Sequence, residues 1–379
     1  MKTQNFFWTI VSICEDNELS QNVRRKTMKP QHIFIELSGT SREIGLKYGQ
    51  EAKVMIHRNL EFYKVFFKEY AHMEWNEAQH LAQSFIPLIE KSASDLLEEM
   101  RAIAEGAELS FEDILTLNCR SEVIFARPDG CSFIGFLSKH GKDGHVYMGQ
   151  TWDWLIPAVE NVCVLKIQKE GKPDQLIAVE AGMVGGKGLN SAGIGVCLNA
   201  LSVGKGKVGM PLHVLYRMIL NTTKASDAVE VVSLAQRAGS GNFDIGTASD
   251  YMFCLEYTPD NFDVLMSEGE PICHTNHYLS PLFLAQDTFK RDLPETFMRL
   301  NTLRRKAKEL EFPVDEKTIF GVLSSHQNFP DSVCSHEDPI DSKYKRFCTI
   351  YGIVMDLTAR RLWITDGRPC EGKISTYAL

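Results

Sequence analysis

The chain has 379 residues, 44% hydrophobic and 24% charged, with a formal net charge of −8. This composition is globular and excludes wholesale disorder, and the length allows up to about three domains. An acidic chain without a concentrated Lys/Arg patch is a poor nucleic-acid binder. The short basic runs Arg24–Lys26 and Arg304–Lys306 read as solvated faces. No apolar run reaches the ~18–20 residues of a membrane span. Ten cysteines stand at wide spacings with no C-x-x-C pair. That is neither a disulfide framework nor a zinc ribbon, so most should be reduced and buried, as in a cytoplasmic protein.

Residues 1–27 form a weakly specified extension. Phe6–Cys14 is apolar, but only Lys2 precedes it and no small-residue cleavage site follows, which is not a signal-peptide pattern. Met28 offers a second start, because the strand-like run Ile33–Leu37 follows it closely. Residues 28–130 are mainly helical. Thr40-x-x-Glu43 has the form of a capping box, followed by Ile44, Tyr48, Ala52 and Met55 at helical spacing. Leu96, Met100 and Ile103 mark a second helix that runs into Gly106, and Ser110-x-x-Asp113 starts a third through Leu117.

Residues 131–379 are β-rich. Strand-like runs occur at Ser132–Leu137, His145–Gln150, Val162–Gln168, Leu176–Glu180 and Ile194–Asn199. Helical patterns cover Pro211–Leu220, Ala225–Ala238 and about Glu295–Leu310. Tyr251–Tyr257 and Val264–Met266 form a hairpin, and Cys348–Asp356 and Leu362–Thr365 close the chain as strands. Closely spaced strands flanked by two helical zones predict an α+β fold, with antiparallel sheets covered by helices, and 28–130 integrated with 131–379.

The chemistry starts at Asp129-Gly130-Cys131-Ser132, on the boundary between the two zones. A glycine before a cysteine leaves its carbonyl unhindered. The thiol can attack that carbonyl, move the acyl group from nitrogen to sulfur, and let water release the preceding segment. The amine freed on Cys131 has an ordinary pKa of ~7.7–8.0, so it can serve the thiol as a built-in base. About twenty residues on comes Gly149-Gln150-Thr151-Trp152-Asp153-Trp154, and a hairpin of that length brings Asp153 beside Cys131 to hold the amine. Asn199, closing a small-residue strand, and Asn276, in Cys273-His274-Thr275-Asn276-His277, each offer an amide to a developing oxyanion. Arg346, entering the last long strand, can face a carboxylate of substrate or enzyme. Gln150, Trp152, Trp154 and His274 are assigned to the substrate site. His326, Cys334 and His336 have zinc-ligand chemistry, but their spacing is unusual and no fourth ligand is evident. They are assigned to a structured loop near the site, and no metal is expected.

The order of these motifs resembles one family from about Ile35 to the C-terminus. It runs Gly45-x-x-Tyr48-Gly49, Asp-Gly-Cys, Gly-Gln-x-Trp-Asp-Trp, then the glycine-rich strand ending in Asn199. His-x-Asn-His and the His326–His336 loop complete it. The resemblance is to the isopenicillin-N acyltransferase family of N-terminal-nucleophile hydrolases. It implies an αββα sandwich, self-cleavage between Gly130 and Cys131, and a mature enzyme in which residues 28–130 remain as a light chain. It makes Cys131 the nucleophile, Asp153 the residue orienting its amine, and Asn276 the side-chain half of the oxyanion hole. It matches Asn199 to a polar active-site asparagine of the bile-salt and penicillin V hydrolases, and Arg346 to an arginine near the site. Two positions depart from the pattern. Lys345 stands where some members have serine, and Gln150 where bile-salt hydrolases have arginine, which argues against simple bile-salt activity.

The expected activity is cleavage or transfer of the acyl group of a small acylated amine through a Cys131 thioester. No bound cofactor is expected, although a coenzyme A thioester can act as acyl donor. Two rival readings remain at this stage. One is an uncut thiol peptidase that pairs Cys131 with His274 or His326. The other is a non-enzymatic metal- or ligand-binding scaffold around His326, Cys334 and His336.

Overall fold

The computed structural model of the protein describes residues 32–124, 130–340 and 347–379. The extension 1–27, Asp129, Lys345 and Arg346 lie outside the described residues. His32–Leu379 form one compact unit.

The strands are β1 (Ile33–Gly39), β2 (Gly130–Phe136), β3 (Tyr147–Leu155), β4 (Val162–Lys169), β5 (Gln175–Glu180), β6 (Lys187–Asn190) and β7 (Ile194–Ala200). They continue as β8 (Gly241–Thr247), β9 (Met252–Tyr257), β10 (Phe262–Met266), β11 (Ile272–His274), β12 (Phe347–Asp356), β13 (Arg361–Thr365) and β14 (Ile374–Ala378). Among the described residues they form an eight-stranded sheet, β1-β4-β5-β6-β7-β8-β9-β10, and a six-stranded sheet, β11-β2-β3-β12-β13-β14. The named strand pairs are antiparallel except β1 with β4, which is parallel. That exception departs from the expected all-antiparallel sheets. The long helical segment between β1 and β2 supplies the crossover that a parallel pair requires. It also means that the segment preceding β2 contributes an edge strand to the eight-stranded sheet.

The helix Ser41–Glu51 begins at the expected capping box, with Thr40 and Glu43 satisfying each other's backbone N–H groups. It packs closely on the helix Ile86–Ala107. A Cβ on Gly45 would lie 2.3 Å from the Glu99 carbonyl oxygen, and one on Gly106 would lie 2.3 Å from that of Leu46. Glycine at these positions lets the two backbones touch. This helix pair and the helix Leu212–Leu220 cover the eight-stranded sheet. The helices Glu295–Glu309 and Glu316–Leu323 cover the six-stranded one, where Leu300, Leu303, Ile319 and Leu323 pack on Ile134, Phe136 and Val354. Alternation in β2 turns Cys131 and Phe133 the other way, into the apolar layer between the sheets with Met148, Trp152 and Phe243. Burying each large side chain of this layer is worth about 1.5–3 kcal/mol. The layers are therefore α, β, β, α, and the nucleophile candidate sits between the sheets.

β8 is absent from the strands read off the sequence, although Asn242, Phe243, Asp244 and Ile245 alternate polar and apolar along it. Asn242 and Asp244 are both fully buried. Asn242 Nδ2 donates to Asp244 Oδ1 at 2.7 Å, while Asn242 Oδ1 has no hydrogen-bond partner among the described residues.

Candidate active site

Cys131 is the second residue of β2 and is fully buried. Three distant segments converge on its backbone. Its N–H donates to Asn276 Oδ1 at 2.9 Å. Its carbonyl accepts from Asn199 Nδ2 at 3.1 Å and from Arg299 Nη1 at 2.9 Å. Asn199 is held in turn by Asn242, whose Nδ2 donates to its Oδ1 at 3.3 Å. The structure thus brings together Cys131, Asn199 and Asn276, as the sequence anticipates.

Asp153 occupies the cross-strand position opposite Gly130, while Trp152 stands opposite Cys131. A Cβ at Gly130 would lie 2.7 Å from Asp153 Oδ2. The carboxylate therefore sits against the residue whose bond to Cys131 is the one expected to break. Thr349 Oγ1 donates to Asp153 Oδ1 at 2.6 Å. The β3–β12 register steps from Thr349↔Asp153 to Tyr351↔Trp152, leaving Ile350 as a bulge beside the carboxylate. A bulge re-aims side chains locally, and here it delivers the Thr349 hydroxyl.

Asn276 Nδ2 donates to the Ala200 carbonyl at 3.1 Å. An amide nitrogen carries two hydrogens, so this bond leaves one for an oxyanion. The amide is oriented by Arg299, whose Nη2 donates to Asn276 Oδ1 at 2.9 Å. Arg299 is 2% exposed and also donates to Ser132 Oγ at 3.1 Å. Sequence reading misses this residue, because it sits in a helix whose Arg304 and Arg305 are exposed. Lys187 is also missed. This buried ammonium lies 5.3 Å from the Trp152 ring and 5.7 Å from the Tyr351 ring. The only sequence signal is a lysine inside the short run Gly186–Asn190.

Trp154, Leu198, Ala200, Leu201, Tyr257 and Phe289 line a cavity of about 90 Å³, with Arg120 and Glu122 also in its wall. Trp154 thus faces this cavity. Gln150 is instead bonded to the Leu198 carbonyl at 3.0 Å and to Asp244 at 3.3 Å. Trp152 packs against Tyr351, with ring centroids 5.5 Å apart. His274 bonds the Thr275 carbonyl and Glu256 Oε1, each at 2.7 Å, so both ring nitrogens are taken. That also deprives a thiol-peptidase reading of His274 as base. Arg346 lies outside the described residues.

Glu122 accepts the Leu212 N–H at 2.8 Å, while its Oε2 is buried without a hydrogen-bond partner among the described residues. Burial pushes its carboxyl from an ordinary 4.5 up to about 7, against the pull of Leu212 and Arg120. The fold therefore holds this proton more tightly than the unfolded chain does. The linked stability is full below about pH 4 and is lost as pH rises through about 7. Glu122→Gln is expected to raise Tm over wild type by a few degrees at about pH 8, and by less at about pH 5. An equal Tm difference at both pH values would contradict this protonation.

The sequence profile of the acyl-coenzyme A:6-aminopenicillanic acid acyl-transferase family matches residues 139–371. That stretch holds Asp153, Asn199, Asn276 and Arg299. The 40 kDa form of acyl-coenzyme A:6-aminopenicillanic-acid acyltransferase from Emericella nidulans is 29% identical over 348 residues, covering 89% of this chain and 93% of the relative. Penicillin V acylase from Agrobacterium tumefaciens overlaps 66% of this chain and 86% of its own, at 14% identity and a TM-score of 0.44. Conjugated bile acid hydrolase from Clostridium perfringens overlaps 66% and 97%, at 14% identity and a TM-score of 0.45. Overlaps this loose fix neither a site nor a substrate.

Proposed function

This chain belongs to the acyl-coenzyme A:6-aminopenicillanic acid acyl-transferase family, and we propose that it is a self-cleaving N-terminal-cysteine enzyme that cleaves or transfers the acyl group of a small acylated amine. The observation that carries this reading is the convergence of Asn276, Asn199 and Arg299 on the backbone of Cys131, with Asp153 against Gly130. A merely structural core cysteine has no need of three polar side chains on its own backbone.

In maturation, Cys131 Sγ attacks the Gly130 carbonyl and the peptide nitrogen leaves as the amine of Cys131. Water then hydrolyses the Gly130 thioester, giving a Gly130 carboxylate and a free thiol. In turnover, the amine takes the thiol proton and the thiolate attacks the substrate carbonyl. The free N–H of Asn276 and a backbone N–H hold the oxyanion, a type of donor worth roughly 2.7–4 kcal/mol each. The amine passes its proton to the leaving nitrogen, and a Cys131 thioester remains. Asp153 orients the amine through both steps. Water or an acceptor amine then attacks the thioester and loses its proton to the Cys131 amine, and the thiolate departs. Water gives a hydrolase and a bound amine gives an acyltransferase, with the same groups serving both.

A coenzyme A thioester is a candidate acyl donor and enters as substrate. The light chain 28–130 stays on as a partner through β1 and its helices. The nine described cysteines are all free thiols, which supports a reducing, cytoplasmic setting. No helix of the described residues is long and apolar enough to cross a membrane.

Processed protein mixed with an acyl-coenzyme A thioester or an N-acyl amine, then quenched in acid, is expected to carry the acyl mass on Cys131. Turnover with the adduct on another cysteine, or with none, would contradict the thioester route.

A further inference from the structure

Outside the active site, one group of side chains among the described residues has the chemistry of a ligand shell. His326, Cys334, His336 and Cys370 bring their ligand atoms within 4.8 Å of one another. The two imidazole Nε2 atoms are 3.1 Å apart. Cys370 Sγ lies 3.6 Å and Cys334 Sγ 4.0 Å from His336 Nε2. A tetrahedral zinc with Zn–N of ~2.0–2.1 Å and Zn–S of ~2.3 Å has edges of about 3.3 Å for N···N, 3.6 Å for S···N and 3.8 Å for S···S. The observed separations fall around those edges. The first three residues are legible in the sequence. The fourth, Cys370, comes from a separate turn after β13.

The two segments are built to meet. Cys334 N–H donates to the Ser325 carbonyl at 3.0 Å, and His336 N–H donates to the Pro330 carbonyl at 3.0 Å, folding the loop so that three donors point one way. The Cys370 turn is closed by Gly372 N–H donating to the Arg368 carbonyl at 2.7 Å. Arg368 reaches across to Glu337 at 3.8 Å. Two thiols and two imidazoles in tetrahedral array select zinc among the common metals, and four protein ligands leave no open coordination position for substrate.

We propose that His326, Cys334, His336 and Cys370 bind one structural zinc ion that braces the wall behind Asp153. The connection is short. Ser335, between two of the ligands, donates its N–H to Thr349 Oγ1 at 2.8 Å and accepts the Thr349 N–H at 3.0 Å. Thr349 Oγ1 in turn donates to Asp153 Oδ1 at 2.6 Å. Zinc therefore fixes the loop that presents the hydroxyl to the carboxylate at the scissile bond, and His326, Cys334, His336 and Cys370 act as positioning residues.

The test uses the full chain purified without chelator. Elemental analysis is expected to find about one zinc per chain, and a Cys334→Ser/Cys370→Ser double variant is expected to lose it. Cobalt supplied to chelated wild-type protein is expected to give the visible bands of a tetrahedral site with thiolate-to-metal charge transfer. Cys370, the exposed cysteine of the set, is expected to resist alkylation until chelator is added, and Tm is expected to fall on chelation. The cobalt and alkylation readouts use wild-type protein, so they stand even if the double variant does not fold. Wild-type protein that binds neither zinc nor cobalt overturns the proposal, as does a Cys334–Cys370 disulfide or a double variant that keeps its zinc.

Discussion

Cys131→Ala protein is expected to remain a single uncut chain and to show no turnover. The expectation rests on the identity of nucleophile and cleavage residue. Alanine offers no atom to attack the Gly130 carbonyl, so the amine that serves as base is never freed. Removing a nucleophile of this kind lowers kcat by roughly 10⁴-fold or more. The fold itself should survive, because one buried sulfur is replaced by a smaller apolar group and the backbone bonds to Asn276, Asn199 and Arg299 are kept. The cost in stability should be about 1 kcal/mol. Electrophoresis under denaturing conditions, with Tm as the control for folding, checks both halves. A well-folded Cys131→Ala protein that is still cut at the same bond contradicts the scheme.

Arg299→Ala is the second large effect. This guanidinium bonds the Cys131 carbonyl, Ser132 Oγ and Asn276 Oδ1, and lies 3.6 Å from Glu295. Hydrogen bonds from a charged group contribute about 1.5–3 kcal/mol each, and the Asn276 amide loses the charged one of the three bonds that orient it. Without it, the free N–H of Asn276 is held less firmly toward the carbonyl under attack. Self-cleavage and kcat should both fall by about 10²-fold or more, which corresponds to roughly 3 kcal/mol. Arg299→Lys keeps the charge but not the fork, so it should recover Tm more than it recovers kcat. Full self-cleavage with wild-type kcat in Arg299→Ala would remove this residue from the site.

The nucleophile and the carboxylate beside it are legible because local rules specify them. A strand beginning at Gly130 and another ending near Asp153 make a hairpin whose register follows from its length. The capping boxes at Thr40 and Ser110 and the β9–β10 hairpin are local in the same sense. Arg299 is not legible, because burial of one arginine in a basic helix depends on which helix face meets β2. Cys370 is hidden for the same reason. It joins His326, Cys334 and His336 only after β12 and β13 have carried the chain back. His274 has the residue type of a ligand contact, but the buried Glu256 carboxylate occupies one of its nitrogens. In β8 the short alternation Asn242-Phe243-Asp244-Ile245 reads as a strand with one solvated face, whereas the fold buries both faces. Local pattern thus reveals what neighbours in sequence do together, and tertiary convergence supplies the rest of the site.

The most direct test of the central claim is an intact-mass spectrum of freshly purified protein under denaturing conditions. Two species are predicted, one spanning residues 131–379 and beginning at Cys131, the other ending at Gly130. A single full-length species, or a break at any other bond, would contradict Cys131 as the N-terminal nucleophile.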